Sequence, residues 1–212
     1  MRILYGDDSL LALDKPAGLL SVPGRGEDKQ DCLSARIQAG YPDALIVHRL
    51  DQATSGLLLM ARGEVMQRAL SRDFAARRVH KRYIAVVDGR LAAPGDATED
   101  WGVIDLPLAA DWPRRPRQRV DAAHGKPSLT RWRVLGREGD NATRVELEPV
   151  TGRTHQLRVH LAALGHPILG DALYAPDIVQ ARSGRLLLHA SRLELTHPAS
   201  GQPLLLQSAA PF

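Results

Sequence analysis

Leu45-Ile46-Val47-His48-Arg49-Leu50-Asp51-Gln52-Ala53-Thr54-Ser55-Gly56-Leu57-Leu58-Leu59-Met60 places one carboxylate, Asp51, in a polar turn between two apolar runs. Short apolar runs bounded by turn residues read as buried strands. The turn is thus held by rigid elements and open to a cleft, a setting that suits a reacting carboxylate. Turn chemistry alone accommodates a second reading equally well, in which Asp51 only caps the turn before Thr54-Ser55-Gly56.

Working outward, Ile3-Leu4-Tyr5 and Leu10-Leu11-Ala12-Leu13 flank a Gly6-Asp7-Asp8 turn and read as a hairpin stopped by Pro16 and Gly18. Asp31 is placed to cap a short helix through Gln38, with Leu33 and Ile37 inward. A helix from about Glu64 to Arg77 carries Met66, Leu70 and Phe74 on one face. Tyr83-Ile84-Ala85-Val86-Val87 is a strand. Ala92 to Gly125 is rich in Pro, Gly and Arg and reads as mostly irregular, the kind of long loop that tends to carry function. Thr130 to Leu135 and Arg144 to Val150 alternate apolar and polar residues as half-buried strands do. Thr154 is a candidate N-cap for a helix with Leu157, Leu161 and Leu164 inward and Gly165 as its stop. Leu186-Leu187-Leu188, Leu193-Glu194-Leu195 and Leu204-Leu205-Leu206 give further strands. Strands outnumber helices and are mostly hairpin-linked, which implies an α+β fold around a mixed, mainly antiparallel β-sheet flanked by helices and loops.

The 212 residues, 44% hydrophobic and 25% charged, fit one large domain or two small ones with a real core. No apolar run approaches the length of a membrane span. Met1-Arg2-Ile3-Leu4-Tyr5 enters an apolar pattern at once, unlike a signal peptide. The lone cysteine, Cys32, has no partner for an internal disulfide, which fits a reducing cytoplasmic setting. The net charge of +4 is weak information by itself, but its distribution is stronger. Arg114, Arg115, Arg117 and Arg119 fall in one short stretch, and Arg68, Arg72, Arg77, Arg78, Lys81 and Arg82 in another. Either group alone is as consistent with a solvated basic face as with a ligand. Two groups flanking a candidate catalytic turn point to a polyanion, because planar guanidinium groups take phosphate oxygens in pairs.

A carboxylate nucleophile needs no base, being ionised at neutral pH. When buried it needs a cation to keep it so, and Arg49, Arg153 and Arg158 are the candidates. His48, His155 and His160 do not form a metal pattern, since His155 and His160 lie five apart and do not share a helix face. Cys32 reads as a small buried residue rather than a nucleophile.

His48-Arg49-Leu50-Asp51-Gln52-Ala53-Thr54-Ser55-Gly56 resembles the signature of the RluA-type pseudouridine synthases. Four further segments resemble that family in its own order: Leu13-Asp14-Lys15-Pro16-Ala17-Gly18-Leu19, Lys81-Arg82-Tyr83, Thr151-Gly152-Arg153-Thr154-His155-Gln156-Leu157-Arg158, and His166-Pro167-Ile168-Leu169-Gly170-Asp171. The resemblance implies one catalytic domain over residues 1–212, without the S4-type RNA-binding domain some members carry, and conversion of uridine to pseudouridine in RNA. It implies Asp51, Tyr83 and Arg153 as catalytic residues, with Arg49 filling the space that a flipped base leaves and His48 beside it on the RNA. Tyr83 would lie against the flipped uracil, and without the resemblance it reads as a packed strand residue. Arg114, Arg115, Arg117 and Arg119 would clamp RNA phosphates.

Because the rearrangement gains and loses no atom, no metal or other cofactor is implied. Asp105-Leu106-Pro107-Leu108 and Asp111-Trp112-Pro113-Arg114-Arg115-Pro116-Arg117-Gln118 are similar to the small dual-specificity members, which modify a uridine of a tRNA anticodon loop and one in a hairpin of large-subunit rRNA. A monomer is expected. Two rivals remain at this point: a non-catalytic RNA-binding module, and a metal-dependent hydrolase using His48, Asp51 and His155.

Overall fold

The computed structural model describes residues 2–94 and 101–212, and the chain divides into two compact units. One comprises the residues up to Lys81 with His189–Pro211, the other Arg82–Leu188 with Phe212.

In the first unit, β1 (Arg2–Gly6) and β2 (Leu10–Lys15) form the expected hairpin. β4 (Ser55–Arg62) pairs antiparallel with β2 and with the short β3 (Ala44–Ile46). At its start β4 also runs parallel to β11 (Leu188–Thr196), with His189 opposite Ser55 and Ala190 opposite Gly56. β12 (Pro203–Gln207) pairs antiparallel with β11. β4 is therefore paired along both edges, and Leu57 through Ala61 are all fully buried. This is why its sequence is a continuous apolar run rather than an alternating one. Gly56 is required at the parallel contact: its φ is +110°, and a Cβ there would lie 2.3 Å from the Ala190 carbonyl oxygen.

Two helices complete this unit. α1 (Leu33–Gln38) buries Leu33 and Ile37 as expected, but its cap is not Asp31. Cys32 holds that place, its sulfur accepting the Ala35 N–H at 3.4 Å, while Asp31 pairs with Arg36 at the surface. α2 (Gly63–Ala75) follows β4 and buries Leu70 completely.

The second unit is an antiparallel sheet in the order β5 (His80–Asp88), β10 (Ala142–Pro149), β9 (Leu129–Arg137), β6 (Gly102–Asp105). Beside it lies a two-stranded ribbon of β7 (Leu108–Ala110) and β8 (Gln118–Val120). The stretch from Ala92 to Gly125 is thus more regular than its composition implies, though residues 95–100 lie outside the described part. Strands of three or four residues broken by proline carry too little periodicity to be seen in a sequence.

α3 (Gln156–Ala163) ends before Leu164, which is 38% exposed, so only Leu157 and Leu161 of the expected triad point inward. Its N-cap is not Thr154 but His155, in left-handed conformation at φ 54°. No side chain caps its first turn; Gln156 Oε1 instead accepts the Arg153 N–H ahead of the helix at 3.0 Å. α4 (Asp177–Gln180) packs Val179 with Val86, Ala142 and Leu169 in a small core. Leu188 and the expected Leu193–Leu195 strand belong to the one long strand β11. The whole is α+β, with strands mostly antiparallel. No described helix is long and apolar enough to cross a membrane.

Candidate active site

Asp51 sits between two backbone clamps. On its N-terminal side, Ser21 Oγ donates to the Leu50 carbonyl at 2.7 Å and accepts the Leu50 N–H at 3.1 Å. On its C-terminal side, the Gln52 carbonyl accepts both the Gly18 N–H at 2.9 Å and Lys15 Nζ at 3.0 Å. The Asp51 carbonyl itself accepts the Thr54 N–H at 3.1 Å, closing the turn. The side chain is half-buried. A carboxylate with its neighbours fixed on both sides loses little orientational freedom when a substrate arrives.

Lys15, in the Leu13–Leu19 segment, braces this turn from inside the fold. Its side chain is fully buried, and Nζ also donates to the carbonyls of Pro16 at 2.9 Å and Leu19 at 2.7 Å. An ammonium bound by three carbonyls ties the end of β2 to the Asp51 turn. The available signal is a lysine ending the largely apolar strand Leu10–Lys15, since Lys is almost never buried without partners.

Arg49 is exposed, as a residue meant for an external ligand would be. His48 is not. Its ring stacks on Phe74 with centroids 4.3 Å apart, and Nε2 accepts the Leu59 N–H at 2.9 Å. The proton of the neutral ring is therefore on Nδ1. Burial, with the charge of Lys81 nearby, pushes its pKa down to about 3. His48 thus offers no positive charge at neutral pH, and its ring packs the start of the turn against β4 and α2.

In the second unit, Tyr83 lies in β5 opposite Leu147 of β10 and is half-buried. Arg153 is exposed, its Nε reaching the Pro127 carbonyl at 3.3 Å. Arg158 differs sharply: it is 4% exposed and gripped by Asp171 through two hydrogen bonds of 2.8 and 2.7 Å. Gln156 and His160 are buried on the same helix. Gln156 bonds Leu129, Thr130 and Thr151, and His160 bonds Thr130 Oγ1 and the Leu106 carbonyl. The carbonyl can only accept, so His160 Nε2 carries the proton; burial lowers its pKa and keeps it neutral.

The arginine-rich loop is built on this same region. Gln118 N–H donates to Tyr174 Oη at 2.8 Å, and that oxygen lies 2.6 Å from His155 Nδ1. Arg117 lies over the Tyr174 ring at 5.5 Å and Arg115 over the Trp112 ring at 3.4 Å. Arg114 pairs with Asp111 at 2.8 Å and Arg119 with Asp121 at 2.9 Å, so two of the four charges have acidic partners. In the other basic stretch, Arg68 pairs with Glu64, Arg78 with Asp73, and Arg82 with Glu146 and Glu148, which spends much of its charge within the fold.

Comparison with known proteins converges on one family. Residues 9–163 match the model of the family described as RNA pseudouridylate synthase. The chain is 47% identical over its full length, and that of the relative, to a protein of Yersinia pestis named dual-specificity RNA pseudouridine synthase RluA. It is 49% identical to the Escherichia coli K12 protein of the same name, over 99% of this chain and 93% of that one. Among solved structures, the human protein RNA pseudouridylate synthase domain containing 1 superposes with a TM-score of 0.80 at 30% identity, covering 99% of this chain and 83% of that one.

Proposed function

The chain belongs to the RNA pseudouridylate synthase family, and from that premise we propose that it isomerises uridines in two classes of structured RNA, a tRNA anticodon loop and a hairpin of large-subunit rRNA. The reaction breaks the C1′–N1 bond and joins C1′ to C5 of the same uracil. C5 gives up its proton, and N1 gains one. Asp51 acts at the glycosidic linkage of a base turned out of its stack, which costs a few kcal/mol and less in a loop than in a duplex. Tyr83 lies against the uracil, and its hydroxyl assists removal of the C5 proton. Arg49 occupies the space the base vacates. Arg153 keeps Asp51 ionised. The chemistry needs no metal or other cofactor, and the enzyme works as a cytoplasmic monomer.

The observation that carries this reading is the double clamp on the Asp51 turn, by Ser21 on one side and Lys15 with Gly18 on the other. Fixed geometry around one carboxylate is what a reaction at a single carbon requires.

Tritium release from RNA labelled at uracil C5 tests these assignments. Asp51→Asn should abolish release while RNA affinity stays near wild type; substantial turnover by that variant removes the catalytic assignment. In the same assay, Arg153→Gln should lose turnover, because it removes the positive charge that keeps Asp51 ionised.

A further inference from the structure

Trp112 is the most conspicuous side chain that the proposed chemistry leaves unused. It is 68% exposed, although an indole is the largest apolar group a protein can offer to water. It begins the short 3-10 turn Trp112–Arg114, inside a loop braced by its own backbone. The Arg114 N–H donates to the Asp111 carbonyl at 3.0 Å, the Arg117 N–H to the Arg114 carbonyl at 2.9 Å, and the Asp111 N–H to the Arg117 carbonyl at 2.9 Å. Asp111 is 4% exposed and so anchors the loop from within. Trp112 is therefore presented by a closed loop, not by a loose one.

The Arg115 guanidinium lies 3.4 Å from the Trp112 ring centroid, close enough to be a stacked lid on one side of the indole. Arg114 and Arg119 of the same loop pair with Asp111 and Asp121, so the charge placed at the ring is that of Arg115. A flat apolar surface with a guanidinium on one face and more than half of the side chain open to solvent matches a nucleobase attached to phosphates. The base stacks on the ring while the guanidinium takes a neighbouring backbone oxygen. An apolar protein partner would be poorly served by a charged guanidinium lying on so small a patch.

We propose that Trp112 and Arg115 form a stacking platform for one unpaired base of the RNA loop, separate from the uridine that is isomerised. This rests on the reading of the protein as an RNA uridine isomerase and adds a recognition element to it. The platform selects RNA in which a second base is splayed out, so it reads the shape of the loop instead of its sequence.

The test uses the intact enzyme and a hairpin RNA, with abasic sites placed singly around the loop. Trp112→Ala should weaken binding of the full hairpin by about tenfold, the range expected for loss of one base stack. Trp112→Phe should recover most of it, and Arg115→Lys, which keeps charge but not the planar fork, should lose part. One abasic position should erase the difference between wild type and Trp112→Ala, while the other positions preserve it. Wild-type affinity in Trp112→Ala overturns the proposal, as does a loss that no abasic position removes. An unchanged melting temperature shows that Trp112→Ala is folded, and if it falls, Trp112→Phe and Arg115→Lys decide the matter on the same abasic series. C5 tritium release is read from the same samples. If wild type releases none, the isomerase reading fails while the binding series still rules on the platform.

Discussion

Individual residues divide here into exposed ones, such as Arg49, and buried ones that hold the turn they stand on. Lys15 belongs to the second group. Replacing it with Met would take the ammonium donor from the carbonyls of Pro16 and Leu19, each such loss costing on the order of 1–3 kcal/mol, while the Gln52 carbonyl keeps the Gly18 N–H. Lys15→Met should therefore lower the melting temperature. Below that temperature it should reduce kcat more than it raises KM for RNA, because the damage is to the Asp51 turn; an equal effect on both would make Lys15 merely structural. His48 gives a pH prediction. Its folded-state pKa of about 3 lies below the 6.5 of a free imidazole, so the unfolded chain takes up a proton that the folded one refuses. The stability that follows is complete above pH 6.5 and falls as pH drops below it, by about 1.4 kcal/mol per unit, until the folded ring itself protonates. Urea unfolding at pH 7 and pH 5 should show this loss in wild type, and His48→Gln should be less stable at pH 7 yet flatter between the two. The sequence around Asp51 shows where His48 stands in the chain, but not that its ring faces Phe74. The direction a side chain takes out of a turn depends on packing from α2, which no local pattern records.

At the scale of elements, the best test is the parallel contact between β4 and β11. Gly56→Ala would drive a Cβ to 2.3 Å from the Ala190 carbonyl in a left-handed backbone conformation, and neither strand can retreat without breaking its own pairings. The expected cost exceeds about 4 kcal/mol, enough to leave much of the protein unfolded. Gly63→Ala is the control: φ is +74°, but nothing lies within 4 Å of the new methyl, so the penalty should be only about 1–2 kcal/mol. Chemical denaturation of the two variants checks the contrast. Elements with strong periodicity, such as the β1–β2 hairpin, β4 and α2, could be read from the chain because burial dictated their pattern. α3 was legible as a helix but not in its face. Gln156, Arg158 and His160 are buried beside Leu157 and Leu161, each polar group satisfied by a distant partner, so the usual apolar stripe is obscured. β6, β7 and β8 were hidden for a different reason: short strands owe their existence to their neighbours, β6 to β9 and β7 to β8.

For the molecule as a whole, 28 basic residues against 24 acidic ones leave a surplus of only four charges, and where that surplus lies matters more than its size. Many arginines are balanced locally: Arg36 by Asp31, Arg62 by Asp43, Arg68 by Glu64, Arg144 by Glu138. Composition could not distinguish these from arginines kept for a ligand, because each pairing joins residues that only the fold brings together or that a helix turn aligns. Arg115 and Arg117 instead lie over the aromatic rings of Trp112 and Tyr174, which keep a guanidinium planar and oriented without cancelling its charge. Binding of a polyanion releases roughly 0.7 counterions for each phosphate contacted on a single strand. Arg115→Ala combined with Arg117→Ala should therefore weaken RNA binding and lower the slope of log Kd against log salt concentration by about 1.4. Arg36→Ala combined with Arg68→Ala removes the same formal charge from pairs already neutralised, and should leave the slope where it was. Titrating one hairpin RNA at several KCl concentrations separates the two outcomes. Equal slopes for all three proteins would mean that the loop makes no phosphate contact and that the basic surplus acts only as a diffuse field.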